Sequence, residues 1–340
     1  MPKVTVVVPN WNGRKDLPSC LDSLLSQTLK PRIVVVENGS VDGSLEVLYN
    51  KYPSVEVIVH KKNKGFAGGV NAGIRKAVSD GDDFVALFNN DAVADNRWLE
   101  LLVKGLDSNP KAGIATCKFM DSKGKRLDST GDMYTIWGLA YPRGRGEPVS
   151  DKYDKSTDIF AASGGASLYR ITMLNEIGLF DEDFFAYYED VDLSFRAQLY
   201  GWKVVYVPDA VAYHKLGATS SKIKGFTTYH ALKNQPWLLI KNVPAPLLSK
   251  IVPRFCLAYF GGFLLGAIGR RQFTPAIKGT LVSLILLPKK LVQRRHIQAN
   301  RKVSPDYIGS IIVGDLPPNA YRLQNLRDRW RKLSGGTTGL

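Results

Sequence analysis

Cysteine is scarce in this chain: there are three in 340 residues, Cys20, Cys117 and Cys256, far apart and odd in number. That excludes a disulfide framework or a cysteine-built metal cluster and suits a reducing cytoplasm, with the thiols expected to be small buried apolar groups. The dinucleotide fingerprint GxGxxG is absent, which argues against a nicotinamide-dependent enzyme. No charged leader with a long apolar stretch precedes the first strand-like residues of MPKVTVVVPN, so no signal peptide is expected. Phe255 to Gly269 is uncharged for only 15 residues, short of the roughly 20 that a spanning helix needs. Acid is nearly missing from the last third. Residues 222–340 hold 3 Asp/Glu against 20 Lys/Arg, whereas residues 1–221 hold 28 against 26, so the C-terminal part carries all of the formal +15 charge.

What is present is enough for a folded core. A 44% hydrophobic composition excludes a disordered chain, and the length allows one large domain with an appendage. Val4 to Val8 is a β-branched run ending at Pro9, as in a buried parallel strand. Leu17, Cys20, Leu21, Leu24 and Leu25 recur at three and four residues, one face of a helix within Arg14–Leu29. Further strands are expected at Ile33–Val36, Val55–Val59 and Phe84–Phe88, with helices through Leu45–Leu48 and Val70–Val78. Repeated strand–helix units predict a parallel sheet with right-handed crossovers and a ligand at the carboxyl ends of its strands. Ser122 to Asp158, rich in Gly, Pro and charge, reads as a loop or mobile flap; the ending SGGTTGL reads as frayed.

The polar motifs fall at the predicted strand ends. Pro9-Asn10-Trp11-Asn12 presents an aromatic that is either a stacking platform or an ordinary packed tryptophan. Glu37 ends the second strand, with a carboxylate able to accept from a base N–H, and Asp42 in the same loop is a nucleotide contact or, preferably, a helix cap. In Asn63-Lys64-Gly65-Phe66-Ala67-Gly68-Gly69-Val70-Asn71 the glycines admit close backbone approach, and the helix that follows offers free N–H groups to an anion or a sugar. An apolar strand delivers Asn89-Asn90-Asp91, which alone would be a turn. Downstream come Ser163-Gly164-Gly165-Ala166 and the acidic helix start Glu189-Asp190-Val191-Asp192, where Asp192 suits the helix dipole and a pair with Arg196.

Taken in order, VVVPNWNG, VVENGSVDGS, NKGFAGGVNAGI, LFNNDAV and GLFDEDFFAYYEDVDLSFRAQLYGWKVVYVP resemble the family 2 glycosyltransferases, especially bacterial rhamnosyltransferase-like members, over roughly residues 3–216. The resemblance implies an α/β fold of the GT-A type, a Rossmann-like, mostly parallel sheet flanked by helices. It implies a nucleotide-diphosphate sugar donor bound by Pro9, Trp11, Glu37, Asn63, Gly65, Gly69, Asn71 and Asn90. It implies a divalent ion, Mg²⁺ or Mn²⁺, on Asp91 and His214, with Asn89 standing where the family usually has the first Asp of its metal motif. Asp190 maps to the base of an inverting displacement, with Glu189 beside it orienting the acceptor or holding Asp190. The expected domains are 1–221, catalytic, divided into a nucleotide-sugar half at 1–115 and an acceptor half at 116–221, followed by a basic, apolar helical extension at 222–340.

That extension alternates apolar runs such as Leu281–Leu287 with Arg270-Arg271, Lys289-Lys290 and Arg294-Arg295. Phosphate contacts to nucleic acid would use the charge but not the aliphatic runs, so nucleic acid is not expected and an anionic membrane surface is. The reading is of a peripheral or monotopic enzyme on the cytoplasmic face of the membrane, glycosylating a hydroxyl of a glycan or lipid-linked glycan in envelope polysaccharide assembly. A polyprenyl-phosphate sugar synthase and a catalytically silent glycan-binding scaffold are the alternatives.

Overall fold

The computed structural model describes residues 2–215 and 223–316; the SGGTTGL ending lies outside them. The chain divides into two compact units, Met1–Asp132 with Pro142–Lys222, and Met133–Tyr141 with Ile223–Leu340. In chain order the elements up to the second helical segment are β1 (Val4–Asn10), α1 (Leu17–Leu25), β2 (Arg32–Glu37), α2 (Ser44–Lys51), β3 (Glu56–Val59), α3 (Gly65–Ser79), β4 (Phe84–Phe88), β5 (Ala92–Ala94), α4 (Trp98–Asp107), β6 (Ala112–Asp121), β7 (Leu127–Ser129), β8 (Asp132–Tyr134), β9 (Ala140–Pro142), β10 (Thr157–Ile159), β11 (Ala166–Arg170), α5 (Ile171–Ile177), α6 (Glu189–Leu199) and β12 (Lys203–His214).

In the first unit the main sheet has the order β10-β12-β6-β11-β4-β1-β2-β3, with β5 on β12 and β7 on β6. β1 runs parallel to β2 and β4, β2 to β3, and β6 to β12. β11 lies antiparallel between β4 and β6, so the sheet is mixed. The reason is topological. Between β6 and β11 there is no α-helical crossover of the kind that returns a chain parallel to its neighbour; short strands, β7 and β10 of the same sheet among them, intervene instead. The core is built from Val6 and Val8 of β1, Val35 of β2, Ala86 and Phe88 of β4, and the Leu17, Cys20, Leu21 and Leu24 face of α1.

Three readings of the sequence need correction here. The Ser122–Asp158 segment is not simply loop: it holds β7, β8, β9 and β10 and buries Asp128, Asp132 and Tyr153. Strands of three residues leave no readable alternation, and their pairing to β6, β12 and one another is decided by contacts distant in sequence. The glycine-rich segment is helix from Gly65, not loop up to Val70. Cys256 is exposed, whereas Cys20 and Cys117 are buried as expected.

The second unit contains α7 (Phe226–Asn242), α8 (Ala245–Cys256), a π-helical stretch (Leu257–Leu264), α9 (Leu265–Gly269), α10 (Phe273–Ile285), α11 (Leu287–Ala299) and α12 (Pro305–Ile311). Residues 133–141 join it through main-chain bonds from Ile136 N–H to Val313 O and from Val313 N–H to Tyr134 O. Trp237 is fully buried, donates its indole N–H to Ser283 O, and has the Lys233 and Lys290 ammonium groups 5.2 and 4.7 Å from its ring centre. The uncharged run that looked too short to span a bilayer is part of a continuous 25-residue helical stretch, Ala245–Gly269, which by length and composition is sufficient. Phe260, Leu265, Ile268, Leu281, Leu284 and Ile285 are exposed.

Candidate active site

The carboxyl ends of β2, β1 and β4 are tied together by side chains. Asn10, fully buried, donates through Nδ2 to Glu37 Oε2 at 2.6 Å and accepts at Oδ1 from Asn90 Nδ2 at 2.7 Å. Glu37 also accepts from Ser44 Oγ at 3.0 Å and from the Ser40 N–H at 3.1 Å. Its buried carboxylate therefore organises the loop after β2 from within. Asn12 N–H donates to Ser40 Oγ and Asn12 Oδ1 accepts from Val41 N–H, which interlocks the two loops. Trp11 stands half-buried between these contacts. Asp42 accepts from the Ser44 and Arg14 N–H groups and so holds the start of α2.

The helix α3 packs beside these loops. Asn63 Oδ1 accepts from the Gly65 N–H and from Asn38 Nδ2, while Gly69 lies against Asn38 and Pro9. Gly65 has φ 74°, and a Cβ there would fall 2.3 Å from Phe185 O. The group that approaches Gly65 closely is thus the protein's own 182–188 segment, whose Phe185 carbonyl also accepts the Ala67 N–H. Asn71 is committed to the same segment: Nδ2 donates to Phe180 O and Glu182 Oε1, and Oδ1 accepts the Phe180 N–H.

On the other side of β4, three side chains form a line. His214 Nε2 is 3.1 Å from Asp91 Oδ1, and His214 Nδ1 is 2.7 Å from Asp128 Oδ2. The pairing of His214 with Ala92 across β12 and β5 brings Asp91 to the imidazole, and β7 on the far side of β6 carries Asp128. Phe119 stacks on the imidazole with ring centres 4.7 Å apart, and Asn89 Nδ2 is 3.4 Å from Nε2. Burial alone would lower the His214 pKa, but the hydrogen bonds and charges of Asp128 and Asp91 overcome it and raise the pKa to about 9. Arg145 pairs with Asp128 Oδ1 at 2.7 Å.

Asp190 lies in the first turn of α6, just after Phe185, Tyr187 and Tyr188, three non-glycine residues with φ of 65°, 68° and 72°. Such conformations cost about 1 kcal/mol or more each and persist where the surroundings impose them, commonly at functional sites. Asp190 Oδ2 accepts the Gly164 N–H at 2.9 Å and Oδ1 accepts the Val191 N–H at 2.8 Å. Burial raises its pKa against these hydrogen bonds, and Asp132 is pushed up to about 8 by burial and by the neighbouring Asp190 charge. Glu189 is buried at the head of the same helix. Asp192 pairs with Arg196 at 3.0 Å, a structural contact as its spacing implied.

The Ser163-Gly164-Gly165 segment links the two groups. Gly165 O accepts the Asn89 N–H at 2.8 Å while the adjacent Gly164 N–H holds Asp190. Asn89-Asn90-Asp91, His214 and Asp190 therefore converge at one sheet edge, whereas the side chains of Glu37 and Asn71 are engaged within the protein. Sequence reasoning did not single out Asn10, Asp128, Asp132 or Arg145. The acids of Leu127-Asp128-Ser129-Thr130-Gly131-Asp132 were the signal for Asp128 and Asp132, inside a stretch whose composition reads as loop.

Among known proteins, the chain is 29% identical over 238 residues, 63% of its own length and 76% of the relative's, to an N-acetylglucosaminyl-diphospho-decaprenol L-rhamnosyltransferase of Mycobacterium tuberculosis. It is 26% identical over 231 residues to a probable glucomannan 4-beta-mannosyltransferase of Arabidopsis thaliana, covering 64% of this chain and 40% of that one. Among solved structures it resembles a Pyrobaculum calidifontis mannosyltransferase in complex with GDP-Man and Mn²⁺, with a TM-score of 0.52 and 16% identity, over 88% of this chain and 86% of that one. It also resembles residues 1–349 of S. aureus TarS in complex with UDP, with a TM-score of 0.53 and 16% identity, over 87% and 90% of the two chains. These likenesses identify the GT-A fold. The family model described as glycosyl transferase family 2 matches residues 5–178, from β1 through α5, with Asp190 and His214 beyond its end. With that match over half of its length, the chain belongs to glycosyl transferase family 2 and is a rhamnosyltransferase-like glycosyltransferase.

Proposed function

We propose that this glycosyltransferase is an inverting, metal-dependent enzyme that moves a sugar from a nucleotide-diphosphate donor to a hydroxyl of a lipid-linked glycan at the cytoplasmic face of a membrane. The observation that carries the reading is the link through Gly164 and Gly165, which ties Asn89, two residues before Asp91, to the segment whose Gly164 N–H holds Asp190. A base and a leaving-group site must be neighbours if the acceptor oxygen is to attack opposite the departing diphosphate.

In that reaction Asp190 takes the acceptor hydroxyl proton as the oxygen bonds to the anomeric carbon. The carbon–oxygen bond to the diphosphate breaks with inversion, and the nucleoside diphosphate leaves. A raised pKa suits the base role, because it strengthens the carboxylate as a proton acceptor near neutral pH. Asp132 is raised in the same direction, by burial and by the Asp190 charge, so the two buried carboxyls titrate as a pair. Glu189 and the strained 185–188 turn support the position of Asp190.

The Asp91–His214 pair fits a divalent ion: a carboxylate oxygen and an imidazole nitrogen face each other, and the other imidazole nitrogen is held by a carboxylate, as is usual for metal-binding histidines. Among the described residues no group of three or more His, Cys, Asp or Glu side chains forms a metal cage, so the donor's diphosphate would supply the remaining oxygens. Bound there, Mg²⁺ or Mn²⁺ would offset the charge developing on the leaving group. In this reading Trp11 stacks on the nucleobase. Pro9, Asn63, Gly65, Gly69 and Asn90 shape the donor site, and Glu37 and Asn71 act through the loops they hold.

The relative's name supports an L-rhamnosyl donor and a lipid-diphosphate N-acetylglucosamine acceptor. The 25-residue apolar stretch and the basic residues around it support a membrane-seated acceptor. The test is nucleoside-diphosphate release from UDP-, GDP- and dTDP-sugars with a membrane lipid extract, with and without Mn²⁺, for wild type and Asp190→Asn. Release that requires acceptor and metal, and falls by about 10²–10⁴-fold in the variant, supports transfer. Release that is independent of Asp190 would overturn it.

A further inference from the structure

Asp128 belongs to none of the motifs that the sequence presents, yet it is almost completely buried, at 2% side-chain exposure, and one of its oxygens lies 2.7 Å from His214 Nδ1. A carboxylate is not buried without a strong partner. Here it has two, because its other oxygen pairs with Arg145, whose Nε also donates to the Asp128 carbonyl at 3.1 Å. The imidazole is constrained as well: Phe119 stacks on its face, interplanar angle 16°, so it is held by edge and by face and presents only Nε2 toward Asp91 and Asn89. A neutral imidazole that donates Nδ1–H to Asp128 has its free lone pair on Nε2, on the side of Asp91.

We infer that Asp128, clamped by Arg145, is the positioning residue that fixes the tautomer and direction of His214 for divalent metal binding. The inference rests on the proposed metal role of Asp91 and His214 and extends it to the Leu127–Ser129 strand and the turn bearing Arg145. Its contribution is orientation and basicity of the ligand nitrogen, not a contact with the ion.

The test is Mn²⁺ binding, read from loss of the free-ion electron paramagnetic resonance signal, with saturating UDP and separately with dTDP. Wild type, Asp128→Asn, Asp128→Ala, His214→Ala and the Asp128→Ala/His214→Ala double variant are compared, and thermal melting of each verifies folding. The expected result is a loss of Mn²⁺ affinity of about 10–100-fold in Asp128→Ala and a smaller loss in Asp128→Asn, which keeps size and an acceptor atom. In the His214→Ala background Asp128→Ala should cost nothing further, since its effect passes through the imidazole. Equal losses from Asp128→Ala with and without His214 would overturn the inference, because the carboxylate would then only hold the fold. Wild-type affinity in both Asp128 variants would also overturn it while leaving the metal site standing. Binding unaffected by His214→Ala, or absent from wild type, would remove the metal reading and this inference together.

Discussion

Replacing Gly165 with alanine tests the link between the two halves of the site without touching a chemical group. The added Cβ would stand 2.9 Å from Asn89 Nδ2 and 2.9 Å from Phe119 Cε1, whereas ordinary contact begins at 3.4 Å, so each neighbour must recede by about half an ångström. Gly165 has no positive φ, so the backbone accepts alanine and the perturbation is steric. Phe119 is buried and stacked on His214, and Asn89 lies 3.4 Å from His214 Nε2, so neither recedes without disturbing the imidazole. Overpacking of this kind costs about 1–3 kcal/mol. A misplacement of about 1 Å costs roughly 10²-fold in rate, so half of that implies about tenfold. Gly269, whose Cβ would meet nothing within 4 Å, is the control. The assay pairs urea unfolding with nucleoside-diphosphate release at saturating Mn²⁺. Gly165→Ala with wild-type release and an unchanged midpoint would refute the reasoning.

Asp132 is pushed up to about 8, so Asp132→Asn imitates the neutral form it holds at acid pH and the acid limb of the kcat/KM profile should stay in place; a limb moved to lower pH in a folded variant would show that Asp132 is charged beside Asp190 there. The Asp132 pKa is raised in the fold from an ordinary 3.8 to about 8, so its stabilising effect is full below about pH 4 and is lost as pH rises through 8; Asp132→Asn should flatten that decline in urea unfolding. His214, raised from 6.5 to about 9, likewise stabilises the metal-free protein at and below pH 6.5 and ceases to do so as pH rises through 9. Melting in EDTA should fall over that window, and less steeply in Asp91→Asn. Asn71→Ala strips partners from the two main-chain groups of the buried Phe180 and should cost about 2–6 kcal/mol in urea unfolding, at about 1–3 kcal/mol for each group left unsatisfied. Leu284→Glu with Ile285→Glu, at two exposed positions of α10, should reduce flotation with anionic vesicles; unchanged flotation would place membrane contact elsewhere.

The strained turn before α6 gives the 180–188 segment a double role. Its main chain is anchored at Phe180 by Asn71 and at Phe185 by α3, and it then passes through Tyr187 and Tyr188 in left-handed conformations directly into Glu189 and Asp190. The helix α3 and the proposed base are thereby mechanically continuous. Close approach at Gly65 makes this possible, since a side chain there would collide with Phe185.

The sequence by itself determined the alternation of strand and helix through β4, because Val4–Val8 is β-branched at every position, Phe84–Phe88 is apolar at every position and α1 spaces its leucines on one face. It also placed the polar motifs together, since polar residues at the ends of buried strands have nowhere to go but the sheet's carboxyl edge. Tertiary structure alone decided that β11 runs antiparallel, that the 122–158 segment is built from three-residue strands, and that Asp128 and Asp132 stand behind His214 and Asp190. Local pattern carries information over a few residues, but a three-residue strand and a carboxylate 86 positions from its imidazole are placed by pairing across the sheet. The same holds for Glu37 and Asn71, whose residue types suggest ligand contacts but whose partners are supplied by the folded chain.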